Sequence, residues 1–114
     1  MPNTIPHSIS LAEAIELTSR FRPNRTSNLP LAETFDKNAI LAMLAVPNAT
    51  RFRIYLGEKE DGKICSVLVA ADAEGSDILP TAITSANVTN DPPYILEDAI
   101  RCPEACPPPS PLNG

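Results

Sequence analysis

The chain has 114 residues, a formal net charge of −5 at pH 7, 43% hydrophobic residues, thirteen prolines and no tryptophan. That length suits one domain with a modest core and little room for a large cofactor. The acidic balance argues against a nucleic-acid backbone as partner. The hydrophobic content argues against a wholly disordered chain, and no apolar run approaches the roughly 20 residues that cross a bilayer, so no membrane span is expected.

The opening MPNTIPHSIS lacks the basic and apolar regions of a signal peptide. The expected setting is therefore the cytoplasm, where Cys65, Cys102 and Cys106 are expected as reduced thiols. The Asn-x-Thr patterns at Asn24, Asn48 and Asn87 then read as chance in a chain rich in Asn and Thr.

Residues 1–9 read as a loose lead-in. Ser10 and Glu13 form a capping box that satisfies orphan N–H groups at a helix start. Leu11, Ala14, Ile15, Thr18 and Phe21 then fall on one helical stripe, and Pro23 ends the helix. Residues 24–30 are a polar connector. Asp36 is the N-cap of a second helix, with Phe35 placed to pack on Ile40 as a hydrophobic staple. The run from Ile40 to Val46 is apolar nearly all round, which predicts a helix buried on most sides. Pro47-Asn48 stops it.

Residues 51–71 read as a β-hairpin with Asp61-Gly62 at a type I′ turn. Counting outward pairs Leu56 with Val67, Ile54 with Val69 and Phe52 with Ala71, and places all of them on one face to be covered by the helices. The opposite face carries Arg51, Arg53 and Tyr55. The second strand is apolar on both faces and belongs at the centre of the sheet. A third short strand is expected at residues 77–79, and residues 81–90 show no clear period. Tyr94 to Arg101 suits a helix or a bent extended segment about equally. Helix, helix, hairpin in that order predicts an α+β domain over residues 1–101: two N-terminal helices on a small antiparallel sheet. Residues 102–114 form an extended Pro-rich tail.

Little in the chain points to chemistry. Cys102 and Cys106 in C-P-x-x-C-P share one face if they open a helical turn. That geometry suits a metal ligand pair, a dithiol or a disulfide. Structural zinc wants four ligands, and the chain offers Cys65, Cys102, Cys106 and the single histidine, His7, with nothing to spare. The plainer reading is two small apolar side chains that pin the start of the tail. Asp72, Glu74 and Asp77 around Gly75 lack the order of a calcium loop and read as a solvated turn. His7, on a loose terminus, cannot serve a nucleophile. Phosphate-loop, dinucleotide and zinc-protease motifs are absent. No cofactor and no catalytic residue is assigned.

Arg20, Arg22, Arg25, Arg51 and Arg53, with Tyr55 between them, form either a patch for an acidic partner or a set of cations paired with the chain's own carboxylates. The long first hairpin strand, with Gly57 its one interior breaker, is an edge that recruits another strand, so a weak homodimer is expected. Proline loses little entropy on being fixed. The tail is therefore expected to dock, with Leu112 as anchor and Tyr55 and Leu68 as its seat, on the same chain or on a neighbouring one.

The segments Glu33-Thr-Phe-Asp36, Arg53-Ile-Tyr55, Gly75-Ser-Asp-Ile-Leu-Pro80 and Leu96-Glu-Asp98, leading to Arg101-Cys-Pro-Glu-Ala-Cys-Pro-Pro-Pro-Ser-Pro-Leu-Asn113, resemble a group of short bacterial proteins that end in a similar cysteine–proline tail. The resemblance implies a bacterial cytoplasmic setting and carries no activity, ligand or site residue. The reading that remains is a non-catalytic binding or assembly module, with a protein partner or a second copy as ligand. Its alternative is a thiol- or metal-dependent protein that uses Cys102 and Cys106.

Overall fold

The computed structural model describes residues 5–81 and 92–113. The chain is α+β, as expected. It runs α1 (Leu11–Phe21), a 3₁₀ turn (Arg22–Asn24), β1 (Ala32–Thr34), α2 (Lys37–Leu44), β2 (Arg51–Glu58), β3 (Ile64–Ala71), β4 (Asp77–Ile78) and β5 (Ile100–Cys102). The strands form two antiparallel sheets: β2-β3-β4 and the small pair β1-β5.

Both helices start where local chemistry says they should. Ser10 Oγ accepts from the Glu13 amide at 3.0 Å and the Glu13 carboxylate accepts from the Ser10 amide at 3.3 Å, so the capping box is closed on both sides. Asp36 accepts from the Asn38 amide at 2.9 Å. Phe35 and Ile40 both pack on the cluster of Met43, Leu68 and Ala70. That cluster joins α2 to the centre of β3 and is the core. The expectation of a second helix buried on most sides is corrected: Met43 alone in α2 is fully enclosed, and Leu41 lies half in solvent. α1 buries no residue completely. Its Thr18 and Phe21 face Leu31, Ala32 and Cys102, beside the β1-β5 ladder.

The hairpin is where it was expected, but its register differs by one residue. Tyr55 pairs with Val67, Ile54 with Leu68 and Phe52 with Ala70. The turn explains the slip. A type I′ turn needs φ > 0 at both central residues, and here Gly62 has φ +87° while Asp61 is not in that region. Glu60, Asp61 and Gly62 form a three-residue loop closed by the Lys59 amide on the Lys63 carbonyl at 2.9 Å. The Asp61 carboxylate accepts from the Lys63 amide at 3.0 Å. A one-residue shift exchanges the faces of one strand relative to the other. Phe52, Ile54 and Leu56 therefore share a face with Ser66, Leu68 and Ala70, while Val67 and Val69 lie with Arg53 and Tyr55. β3 is central, as read from its apolar faces.

Residues 94–101 are extended, which settles that ambiguity. Leu96 exchanges both backbone hydrogen bonds with Leu68, at 2.8 and 2.9 Å. Asp98, at φ +65°, turns the chain towards β5. The strand β1 had no signal in the sequence. The residues without a clear period, 81–90, fall outside the described residues except for Thr81.

Two expectations for the C-terminal segment are corrected. Cys102 and Cys106 are joined as a disulfide with Cα atoms 4.4 Å apart, so they are not free thiols. The intervening turn, in which the Ala105 amide donates to the Arg101 carbonyl at 2.9 Å, brings them together. The tail also meets α1 and not its expected seat, whose two residues, Tyr55 and Leu68, the register puts on opposite faces of the sheet. The Leu112 carbonyl accepts from Arg22 Nη1 at 2.9 Å, and Pro107, Ser110, Leu112 and Asn113 line a groove with Thr18 and Phe21.

Candidate functional site

Among the described residues β2, eight residues long, is an edge strand. Antiparallel pairing alternates, so every second residue of an edge strand turns its backbone groups outward. The closing pair Lys59–Lys63 and the register place Gly57, Tyr55 and Arg53 on β3. The N–H and C=O groups of Phe52, Ile54 and Leu56 therefore point to the open side. Their side chains are exposed as well, by 46%, 55% and 79%. A run of unpaired backbone groups flanked by exposed apolar side chains is a template for another strand.

Beside this edge lies an apolar groove of about 430 Å³. Phe52, Ile54 and Leu68 form its floor, and Pro30, Phe35 and Ile40 are among its walls. It exists because the short α2 covers Leu68 and Ala70 but stops before Ile54. The sequence reading assigned Phe52, Ile54 and Leu56 to the core. The signal that pointed the other way was their place on the first strand of the hairpin, already read as an edge.

The basic residues scatter. Arg53 is half-buried and donates to the Asp77 carboxylate and, at 3.0 Å, to the Gly75 carbonyl. Tyr55 Oη donates to the other Asp77 oxygen at 2.6 Å. The Tyr55 hydroxyl, and then Arg53, hold the Asp77 carboxyl below its ordinary range. Lys59 contacts Glu97 at 2.8 Å and Asp98 at 3.6 Å. Its ammonium holds Glu97 below the usual carboxylate value. Arg20 pairs with Glu16, Arg22 with the Leu112 carbonyl and Arg25 with the Leu29 carbonyl. Of the five arginines read as a possible patch, four thus have partners in the chain itself. Arg51 is exposed at the start of β2 and has no ion-pair partner among the described residues. Leu112 joins the groove of Thr18, Phe21 and Arg22 instead, with its carbonyl accepting from Arg22.

The three cysteines are not brought together. Cys65 is a buried free thiol on β3 next to Gly57, and Cys102 and Cys106 are bonded to each other. Among the described residues no group of three or more His, Cys, Asp or Glu side chains is placed to hold a metal ion. No helix among them is long and apolar enough to cross a membrane.

Sequence reasoning missed one polar cluster. Glu33 of β1 faces Arg101 of β5 across the ladder, at 3.6 Å. Arg101 also donates to the Ile64 carbonyl and, at 2.9 Å, to that of Asn28. This is a structural clasp that fixes the small sheet to the start of β3. No protein-family model, curated protein or solved structure matches this chain.

Proposed function

We propose that the chain is a non-catalytic binding or assembly module of a bacterial cytoplasm, which takes up a strand of a protein partner along β2. The observation that supports this reading is the coincidence at Phe52, Ile54 and Leu56 of open backbone groups and exposed apolar side chains beside the groove. Strand addition of this kind draws affinity from main-chain hydrogen bonds and specificity from alternate side chains. The test is a photo-crosslinking residue at position 56, with the same residue at Glu16 on the polar face of α1 as control, in the bacterium that makes the protein. Discrete adducts from position 56 alone are expected. Equal labelling at both positions, or none at 56, defeats the proposal.

A second reading is favoured by the disulfide. Cys102 is buried while Cys106 is exposed, so the bond has one sulfur open to attack by a thiolate. In a reducing cytoplasm such a bond is reversible, which suits a thiol-dependent protein using Cys102 and Cys106. Alkylating thiols at the moment of cell lysis tests this. A mixture of reduced and bonded chains that shifts with oxidant supports it, and a uniform state under both conditions counts against it.

A further inference from the structure

We propose that the Cys102–Cys106 disulfide is a latch: exchange with a low-molecular-weight thiol opens it at Cys106 and releases the tail from α1. This deepens the thiol-dependent reading of these two cysteines and rests on it.

The two halves of the bond are held unequally. Cys102 belongs to β5, is paired with Ala32, and accepts from the Leu31 amide at 2.8 Å. It is 2% exposed. Its anchors are backbone contacts, so it keeps its place when the disulfide is cut. Cys106 is exposed and belongs to no strand. Access decides which sulfur an incoming thiolate attacks, and here it selects Cys106 Sγ. The thiolate's electron pair forms a new S–S bond to Cys106, the Cys102–Cys106 bond breaks, and Cys102 leaves as a thiolate that takes a proton from water. A second thiol then attacks the mixed disulfide. Two thiols end as one small disulfide, and the protein ends with two thiols.

The bond matters to the tail because little else holds it. Among the described residues, Pro107 to Asn113 has one hydrogen bond to the rest of the chain, from Arg22 Nη1 to the Leu112 carbonyl. Its other hydrogen bonds are internal, among Pro108, Ser110, Leu112 and Asn113. Pro107 to Leu112 are all exposed. The rest of the docking is contact with a groove that Cys102 itself lines, beside Pro107. The disulfide therefore sets the start of the tail at its seat and gives the docked segment a high effective concentration there. Once the bond is cut, the Ala105–Arg101 hydrogen bond alone restrains residues 103–106. So slight a set of contacts does not outweigh the entropy of the freed segment.

Nuclear magnetic resonance of the full chain, oxidised and then reduced with dithiothreitol, is the test. On reduction the amide resonances of Ser110, Leu112 and Asn113 should move to their positions in a free peptide of residues 107–114, while those of Met43, Leu68 and Val69 stay and report that the fold is kept. Cys106→Ser replaces an exposed side chain and should show the released tail without dithiothreitol and no response to it. Brief treatment with glutathione, quenched in acid, should leave glutathione on Cys106 and a free thiol at Cys102. Tail resonances that ignore reduction, a docked tail in Cys106→Ser, or glutathione found first on Cys102 overturns the proposal. If the thiol state trapped at cell lysis shifts with oxidant while the tail never leaves α1, the latch alone fails. If that state is uniform, the thiol-dependent reading fails and the latch falls with it.

Discussion

Glu33 and Arg101 are directly opposite each other in the β1-β5 ladder, and their side chains meet at 3.6 Å with only 10% and 15% of their surface exposed. The same guanidinium reaches the carbonyls of Ile64 and Asn28. A planar fork with five donors can hold three acceptors from three segments at once, which an ammonium on a flexible stem cannot do with the same geometry. This one side chain therefore ties β5, β3 and the connector before β1 together.

Arg101→Ala should accordingly cost about 2–3 kcal/mol, because it leaves a largely buried carboxylate and the Ile64 carbonyl without their donor, while the Asn28 carbonyl keeps only the Ile64 amide. Arg101→Lys should recover only part of the loss. Arg20→Ala, which breaks an exposed pair with Glu16, should cost under about 0.5 kcal/mol. Chemical denaturation of the three variants checks the order. Equal losses at Arg101 and Arg20 would show that the clasp contributes no more than a surface pair.

The register can be read from another set of variants. Leu68 is 4% exposed and lies in the core cluster with Met43, so Leu68→Ala should cost about 2–4 kcal/mol. Ile54, half in solvent on the same face, should cost about 1 kcal/mol or less on the same truncation in the monomer, since most of its burial is absent. Had the hairpin followed the two-residue turn, Ile54 and Val69 would have been equal partners in the core. A large loss at Ile54 under dilute conditions would contradict the register described here.

What was legible in the sequence had its cause nearby in the chain. The Ser10–Glu13 box and the Asp36 cap are contacts within a single turn, and each formed as expected; Phe35 and Ile40, expected to pack on one another, both lie on the core cluster. The hairpin was legible for the same reason, but its register hung on whether Asp61 shares the left-handed region with Gly62. It does not: its carboxylate accepts from the Lys63 amide instead, and that choice moved every pair by one. The β1-β5 pair was out of reach. Three residues carry no period, and Ala32 and Cys102 meet across the length of the domain. The candidate site was half visible: the edge was read from the hairpin, but its apolar side chains were assigned to a core that α2 is too short to complete.

Acid should destabilise the protein. Tyr55 and Arg53 lower Asp77, and Lys59 lowers Glu97. A carboxyl lowered in the folded state stabilises fully above its unfolded pKa, and the contribution is lost as pH falls through the folded value. Stability should therefore be steady from pH 7 to about 5 and decline below about pH 4, where unfolded carboxyls take up protons. The partner cations move the other way. Tyr55 and Asp77 raise Arg53 and Glu97 raises Lys59, so their share is lost only in strong alkali. The double variant Asp77→Asn, Glu97→Gln should flatten the acid limb of a melting-temperature profile. An unchanged limb would place its origin in other carboxylates. Because these pairs lie near the surface, added salt should shrink the effect.

The tail provides the last prediction. Ser110 to Asn113 closes on itself: the Asn113 side chain accepts from the Ser110 amide at 2.9 Å and donates to the Pro108 carbonyl at 3.0 Å. This folded end sits against Thr18 and Phe21, with Arg22 holding the Leu112 carbonyl. Its other end is set by the disulfide, which closes a loop with a sequence separation of 4. A loop this short removes little chain entropy, so by the loop-closure model the bond is worth about 2 kcal/mol. Reduction should lower the melting temperature by several degrees, given the roughly 4 °C per kcal/mol typical of a domain this size. Deleting residues 107–114 removes the cover over α1, and it should lower the melting temperature even with the disulfide intact. Arg22→Ala should produce a smaller drop, since the apolar contacts of the tail remain. Amide exchange at Leu112 and Asn113 should be slower in the full chain than in a free peptide of residues 107–114, and should speed up in Arg22→Ala. A truncated chain that melts with the full-length protein, combined with tail amides that exchange as in the peptide, would make the tail a linker that merely passes beside α1.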